Sequence, residues 1–225
     1  MPSPRPLARI ESEVLRRLDE AWEPARDAGV IGSAPLSALR LHSAGFILDA
    51  WRDMPDGDFV DCGAGAGLVG VLLALELPAS RWTLVDASER RCDMAFRAVA
   101  AAGLSSRVVV EHAPVEDVAG RSDAREAFDG MAARLFGPAS ELAECGLPLL
   151  RVGGSLVVSV SAETRRQWEG MPLRAGTGCE LSGRWSTQHG SFISITRIAP
   201  TPPGLPRRRA ARRRRPLMQE QSHQL

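Results

Sequence analysis

The stretch that decides the fold lies at residues 61–70 and combines an acidic residue with a series of glycines. It is Asp61-Cys62-Gly63-Ala64-Gly65-Ala66-Gly67-Leu68-Val69-Gly70. Apolar Phe59 and Val60 come just before it and predict a short buried strand, while the apolar run after Gly67 predicts a helix. Glycines between a strand and a helix let the backbone turn sharply and approach a ligand where a side chain would clash. We therefore expect a ligand-binding turn in an α/β domain.

Strand and helix patterns alternate on both sides of this turn. The predicted strands are residues 59–62, 82–86, 108–111, 128–133 and 155–160. The predicted helices between them are residues 67–77, 89–102, 115–118 and 139–150. Such alternation predicts a mostly parallel sheet with helices on both faces. Residues 180–185 and 192–198 are predicted to pair as a terminal antiparallel hairpin, which completes seven strands.

Segments of different character flank the predicted domain of residues 55–199. Residues 7–28 and 35–52 are predicted to be helices, within an N-terminal helical segment of residues 1–54. Residues 200–225 are rich in proline and arginine and are expected to be irregular and disordered. Seven of the nine residues 207–215 are arginine, so without them the net charge of +1 would be 1 − 7 = −6. Such a basic segment is either a phosphate-binding handle or a solubilising tail.

Composition limits the class of protein. The chain has 225 residues, 44% of them hydrophobic, which is enough for one α/β domain with a buried core. Its longest apolar run, residues 68–75, is too short to cross a bilayer, and the N-terminus has no apolar targeting segment. The four cysteines are scattered without a C-x-x-C pair. We therefore expect a cytoplasmic monomer without a metal site or a membrane partner.

Two acidic residues indicate which cofactor the glycine turn binds. Gly65, Gly67 and Gly70 alone also match the dinucleotide fingerprint, which is a weak signal. Asp61, however, lies inside the turn, where it would attract the cationic methionine portion of S-adenosylmethionine and repel a pyrophosphate. Asp86 ends the second strand and is expected to accept hydrogen bonds from ribose hydroxyls. The sequence thus favours S-adenosylmethionine over NAD and predicts a Rossmann-like class I methyltransferase fold.

Several segments, spread over most of the chain, resemble the bacterial RsmG (GidB) family, whose members methylate N7 of a guanine in 16S ribosomal RNA. The matching segments are Phe46-Ile47-Leu48-Asp49-Ala50-Trp51, the glycine turn, Val85-Asp86-Ala87-Ser88-Glu89-Arg90-Arg91, Ala113-Pro114-Val115-Glu116-Asp117, Phe128-Asp129-Gly130-Met131-Ala132-Ala133-Arg134, and Leu147-Pro148-Leu149-Leu150 with Gly153-Gly154. The basic ending, from Pro206 to Leu217, is similar to the ending of many members.

The resemblance implies S-adenosylmethionine as cofactor and 16S ribosomal RNA or the small ribosomal subunit as partner. The cofactor-contacting positions that it implies, beside the turn glycines and the two aspartates, are Gly63, Leu68, Val115, Glu116 and Arg134. Within the basic ending it implies RNA contacts by Arg207, Arg208, Arg214 and Arg215. We expect this ending to lie apart from the cofactor site, so that its deletion leaves cofactor affinity unchanged.

Guanine N7 carries a free lone pair and no proton, so its methylation needs no general base, and no catalytic residue is assigned. The chain departs from the family at several positions, such as Phe46 in place of a histidine and Val69 in place of the loop proline, and the cofactor motifs are better kept than the presumed RNA-facing ones. The open alternatives are a diverged relative that methylates a small molecule or a protein, and an RNA-binding protein that keeps the cofactor site without turnover. An NAD-dependent oxidoreductase is a more distant alternative.

Overall fold

The computed structural model describes residues 8–54 and 56–217, which contain one seven-stranded sheet with the order β3-β2-β1-β4-β5-β7-β6. The strands are β1 (Asp58–Cys62), β2 (Arg81–Asp86), β3 (Val108–His112), β4 (Phe128–Ala133), β5 (Leu150–Ser159), β6 (Cys179–Thr187) and β7 (Gly190–Arg197). The first five strands are parallel, and the β6–β7 hairpin pairs antiparallel with β5. The predicted sheet and its terminal hairpin are confirmed.

Eleven helices connect or flank these strands in the described residues. They are α1 (Ser12–Ala21), α2 (Glu23–Asp27), α3 (Leu36–Ala44), α4 (Asp49–Arg52), α5 (Leu68–Glu76), α6 (Glu89–Ala101), α7 (Val115–Gly120), α8 (Ala139–Cys145), α9 (Ala162–Glu169), α10 (Leu173–Thr177) and α11 (Arg209–Arg214). A short 3-10 turn, Leu147–Leu149, precedes β5. Helices α9 and α10 lie in a stretch for which the sequence pattern predicted no element.

Both faces of the sheet are buried, and neighbouring residues of a strand contribute to different cores. Phe59 packs in the core that contains α5 and α6, whereas Val60 packs in the core that contains α7 and α8. Leu84 and Val85 divide in the same way between the two cores. This alternation follows from the two-residue period of a strand, and it explains why the central strands are apolar at nearly every position.

Three predicted helices are shorter than expected or divided in two, because of two prolines and one long-range hydrogen bond. The helix of residues 7–28 begins only at Ser12, with residue 7 outside the described chain, and it divides at Trp22, since Pro24 has no N–H to continue it. The helix of residues 35–52 divides at Gly45, whose carbonyl accepts the Trp185 indole N–H instead. The helix of residues 139–150 ends at Cys145, before Pro148, and Leu150 already belongs to β5.

The C-terminal segment was predicted to be irregular and disordered; residues 200–208 have no regular secondary structure, but residues 209–214 form a helix, which the prediction did not include. The backbone N–H of Thr201 donates to Glu126, and the Arg125 guanidinium donates to the Leu205 carbonyl at 2.6 Å. Helix α11 follows, and Leu217 packs against the core beside α7 and α8. The buried Glu144 and the partly buried Glu116 form ion pairs with Arg207 and Arg212 of this segment, and these contacts place it against the domain.

The described residues contain no helix that is both long and apolar enough to span a bilayer.

Candidate functional site: a cavity at the carboxyl edge of the sheet

A cavity of about 710 Å³ opens at the carboxyl ends of β1, β2 and β4. The sheet order reverses between β1 and β4, and ligands of open α/β sheets bind at such a switch point. The lining includes all the predicted cofactor residues except Gly67, namely Asp61, Gly63, Gly65, Leu68, Asp86, Val115, Glu116 and Arg134. Gly67 lies just beneath the cavity as the N-cap of α5. The structure therefore brings the predicted residues together.

Asp61 is the penultimate residue of β1 and lies at the floor of the cavity, where it is only 1% exposed. Its Oδ2 accepts a hydrogen bond from the Gly70 backbone N–H at 2.8 Å. Burial raises the pKa of this carboxyl to about 7, although the Gly70 hydrogen bond and the Arg134 guanidinium act to lower it. Because burial makes this carboxyl costly to ionise, a cationic group of a ligand placed beside it would be stabilised by the ionised form.

Asp86 ends β2 on the opposite side of the glycine turn and is likewise buried. Its Oδ2 accepts from the Gly65 N–H at 2.8 Å, and its Oδ1 accepts from Ser88 N–H and from Arg91. The two aspartates thus hold the turn at both ends, a role that the spacing alone did not predict. The ion pair with Arg91 is partly solvent-exposed, so a ligand hydroxyl can replace it at little cost.

Glycine is required in the turn for two different reasons. Gly65 has a φ of +58°, and a Cβ there would meet only Val30, at 3.8 Å, so a side chain would be strained and would extend into the open cavity. A Cβ on Gly70 would come within 2.1 Å of the Leu84 side chain and 3.0 Å of Asp61. Gly65 therefore keeps the ligand space free, whereas Gly70 permits the packing of α5 on β2.

Arg134 follows β4 directly and is half-buried in the cavity wall. Burial lowers its pKa, and the Asp61 carboxylate opposes this shift. Its guanidinium has no hydrogen bond or ion pair among residues 8–54 and 56–217, whereas the buried Arg197 and Arg212 have several. A half-buried guanidinium without a protein partner is suited to bind an anionic group of a ligand.

Glu116 lies in the first turn of α7, beside the buried and apolar Val115. Its Oε1 accepts from the Arg212 guanidinium at 2.7 Å, and the same guanidinium contacts Glu141 of α8 at 3.2 Å. Partial burial raises the pKa of Glu116, but its backbone hydrogen bond and Arg212 outweigh this and lower the pKa overall. Arg212 comes from the C-terminal segment, so the expectation that this segment lies apart from the cofactor site is wrong.

The four arginines predicted to bind RNA have different environments. Arg207 forms an ion pair through two of its nitrogens with Glu144, which is 1% exposed. The Arg207 guanidinium is therefore occupied by a contact within the protein. Arg208, Arg214 and Arg215 have exposed side chains on or beside α11. Two further exposed arginines, Arg209 and Arg213, extend this surface, and Arg209 also lines the cavity.

Sequence reasoning missed a second group of cavity residues, from the N-terminal segment and from the loop between β4 and α8. The segment of residues 29–31 covers the glycine turn, and the Trp22 indole donates to the Ala66 carbonyl at 2.8 Å to hold it there. Leu135 and Phe136 line the opposite rim, with Leu135 85% exposed. Leu135 and Phe136 could have been found from the sequence, because they come directly after Arg134. Residues 29–31 could not, because the N-terminal segment reaches the cavity only through tertiary packing.

Comparison with known proteins assigns the family. The family model for rRNA small subunit methyltransferase G (GidB) matches residues 44–174, more than half of the chain. The chain belongs to this family. It is similar to the ribosomal RNA small subunit methyltransferase G of Chloroflexus aggregans, with 30% identity over 74% of this chain and 72% of that one. The corresponding protein of Carboxydothermus hydrogenoformans is 28% identical over 74% of each chain.

Solved structures show the same fold at lower sequence identity. A methyltransferase from Geobacter sulfurreducens has a TM-score of 0.58 and 17% identity, covering 84% of this chain and 93% of its own. A putative S-adenosyl-L-methionine-dependent methyltransferase from Methanococcus maripaludis has a TM-score of 0.55 and 12% identity, covering 87% and 98%. The predicted family, fold class and enzyme class are confirmed, and S-adenosylmethionine is the cofactor of this class.

Proposed function

We propose that this methyltransferase acts on 16S ribosomal RNA and methylates N7 of a guanine. The observation that carries the proposal is one cavity that contains the buried Asp61 carboxylate and the Arg134 guanidinium, which has no partner in the described residues, and that is bordered by Arg209 at the start of the exposed arginine surface of α11. The first two groups suit the cofactor, and the arginine surface suits a polyphosphate substrate. Membership of the family supports the same substrate.

The residues of the cavity fit S-adenosylmethionine at both of its ends. Its amino-acid end is a zwitterion, and Asp61 and Arg134 offer one charge of each sign on neighbouring strand ends. The carboxylate oxygens of Asp86 can accept hydrogen bonds from ribose hydroxyls after its ion pair with Arg91 has broken. Leu68 and Val115 offer apolar surface for a flat base, with the Glu116 carboxylate beside them as an acceptor.

The chemistry required of the protein is positioning. The bound cofactor supplies an electrophilic methyl group, and the N7 lone pair of guanine attacks it without losing a proton. The protein therefore needs to orient the base in line with the methyl group and to exclude water, for which no proton acceptor is required. The exposed Leu135 and the adjacent Phe136 are apolar groups on the rim that can exclude water from the base.

The test is methylation of small-subunit RNA, followed by mapping of the modified base. Purified protein, S-adenosylmethionine and 16S ribosomal RNA or small subunits should yield 7-methylguanine at one position. A matched guanine-to-adenine substrate at that position should accept no methyl group. Methylation of a different atom or of no RNA, with cofactor binding intact, would overturn the substrate and favour a small-molecule or protein methyltransferase.

Exposed arginines of α11 give a second test of the RNA substrate. Replacing both Arg213 and Arg214 with glutamine should weaken RNA binding and flatten its dependence on salt by about 1.4, since each lost phosphate contact contributes roughly 0.7 for single strands. The control replaces Arg17 and Arg97, which are exposed on α1 and α6 away from the cavity. Equal salt slopes for the two variants would remove α11 from the RNA surface.

The proposal includes a monomeric protein that acts in the cytoplasm. Sedimentation of the purified chain tests the first point, and fractionation of cells that express it tests the second. A stable dimer would require a search for partner residues at the cavity.

A further inference from the structure

The C-terminal arginine segment has two faces, and one of them is buried against the cofactor cavity. Arg212 is 2% exposed, although it lies in a run of arginines whose other helical members are exposed. Its guanidinium bridges α7 and α8 by contacting Glu116 and Glu141, and it also donates to the Arg207 carbonyl at 2.7 Å. A solubilising or purely RNA-binding tail gives no reason for this burial.

The carboxylates that Arg212 bridges belong to the cavity itself. Glu116 and Glu141 both line it, and without Arg212 they would repel each other across its rim. The planar guanidinium can donate to both at once, which fixes the rotamer of each. Arg207 anchors the start of the segment separately, on Glu144, which does not line the cavity.

We infer that Arg212 is a positioning residue of the cofactor site, which holds the Glu116 carboxylate in the orientation that receives the cofactor. The C-terminal segment is thereby a wall of the cofactor cavity as well as a candidate RNA surface. The inference rests on the cofactor role proposed for Glu116 and does not depend on which substrate is methylated.

The experiment measures affinity for S-adenosylhomocysteine by calorimetry, without RNA. Arg212→Gln in the full chain should weaken binding by about tenfold, the size of one lost charge-assisted hydrogen bond. Arg213→Gln, on the exposed face of the same helix, is the matched control and should bind as the wild type does. Arg212→Lys keeps the positive charge but cannot donate to both carboxylates from one planar group, and it should give a smaller loss of affinity.

A double-mutant cycle separates positioning from simple stabilisation. If Arg212 acts through Glu116, adding Arg212→Gln to Glu116→Gln should cause little further loss of affinity. An undiminished additional loss would overturn the inference, and so would wild-type affinity in Arg212→Gln. If Arg212→Gln does not fold, the same cycle is carried out with Arg212→Lys. Failure of RNA methylation with this cycle intact would overturn only the proposed substrate.

Discussion

Replacing Asp61 with asparagine separates the cost of burying this carboxylate from its use in binding. The side chain is 1% exposed and accepts a hydrogen bond from the Gly70 N–H at 2.8 Å. Burial raises its pKa from 3.8 to about 7. Asparagine keeps an acceptor oxygen for Gly70 but carries no charge at any pH. The variant should therefore gain stability and lose affinity for the cofactor.

The size of the stability gain follows from the pKa shift. A carboxyl whose pKa is raised by folding takes up a proton on folding between the two pKa values. The wild-type free energy of unfolding therefore falls as the pH rises from about 4 to about 7, by roughly 4 kcal/mol for a shift of about three pH units. An asparagine at position 61 does not titrate, so the free energy of unfolding of the variant lacks this decrease. At pH 8 the cofactor-free variant should be more stable by up to about 4 kcal/mol, a Tm increase on the order of 10 °C.

Two measurements check both effects. Thermal unfolding of the cofactor-free protein between pH 4 and pH 9 should give stabilities that agree near pH 4, diverge as the pH rises from about 4 to about 7, and differ by a constant amount above that. Calorimetry with S-adenosylhomocysteine should show wild-type affinity that increases through pH 7, as Asp61 loses its proton. The variant should bind at least about tenfold more weakly at pH 8, because it lacks the charge partner of the ligand ammonium. Asp93→Asn, an exposed change on α6, should alter neither property.

A variant that is less stable than the wild type at pH 8 would refute this prediction. That result would mean that the ionised carboxylate stabilises the glycine turn of the cofactor-free protein by more than the free-energy cost of burying its charge. If the variant bound S-adenosylhomocysteine with wild-type affinity, Asp61 would not contact the cofactor, and its role would be only to support the glycine turn.

Two further predictions concern neighbouring residues. Gly65→Ala should lose about 1 kcal/mol of stability, because of its positive φ, and bind S-adenosylhomocysteine poorly. Gly70→Ala should unfold at a much lower temperature than the wild type, because Leu84 occupies the space that a Cβ would need. Equal unfolding temperatures and equal calorimetric affinities for the two variants would contradict this. Arg134→Ala should change the free energy of unfolding by no more than roughly 0.5 kcal/mol, since no ion pair is lost, yet weaken S-adenosylhomocysteine binding strongly; Arg166→Ala, exposed on α9, is its control, and unchanged affinity in Arg134→Ala would contradict the assignment.

Local patterns predicted the parts of the fold that depend on local chemistry. Strand β4 was predicted with its observed bounds, because Phe128 follows the polar stretch that ends at Glu126 and Arg134 ends the run of small and apolar residues. The helix of residues 139–150 was extended too far, because an apolar helix end and the start of a buried strand have similar composition. Helices α9 and α10 were missed, since their short polar and glycine-containing sequences lack a clear period.

The glycine turn with its two aspartates determined, by sequence alone, where the cofactor cavity would lie and which residues would line its floor. This was possible because the carboxyl ends of successive parallel strands meet at one edge of a sheet. Only the tertiary structure decided what closes the cavity. Trp22 and Arg212 reach it from opposite ends of the chain, through a hydrogen bond to Ala66 and an ion pair with Glu116. No local pattern encodes such contacts, because their energy depends on buried partners that come together only when the chain is folded.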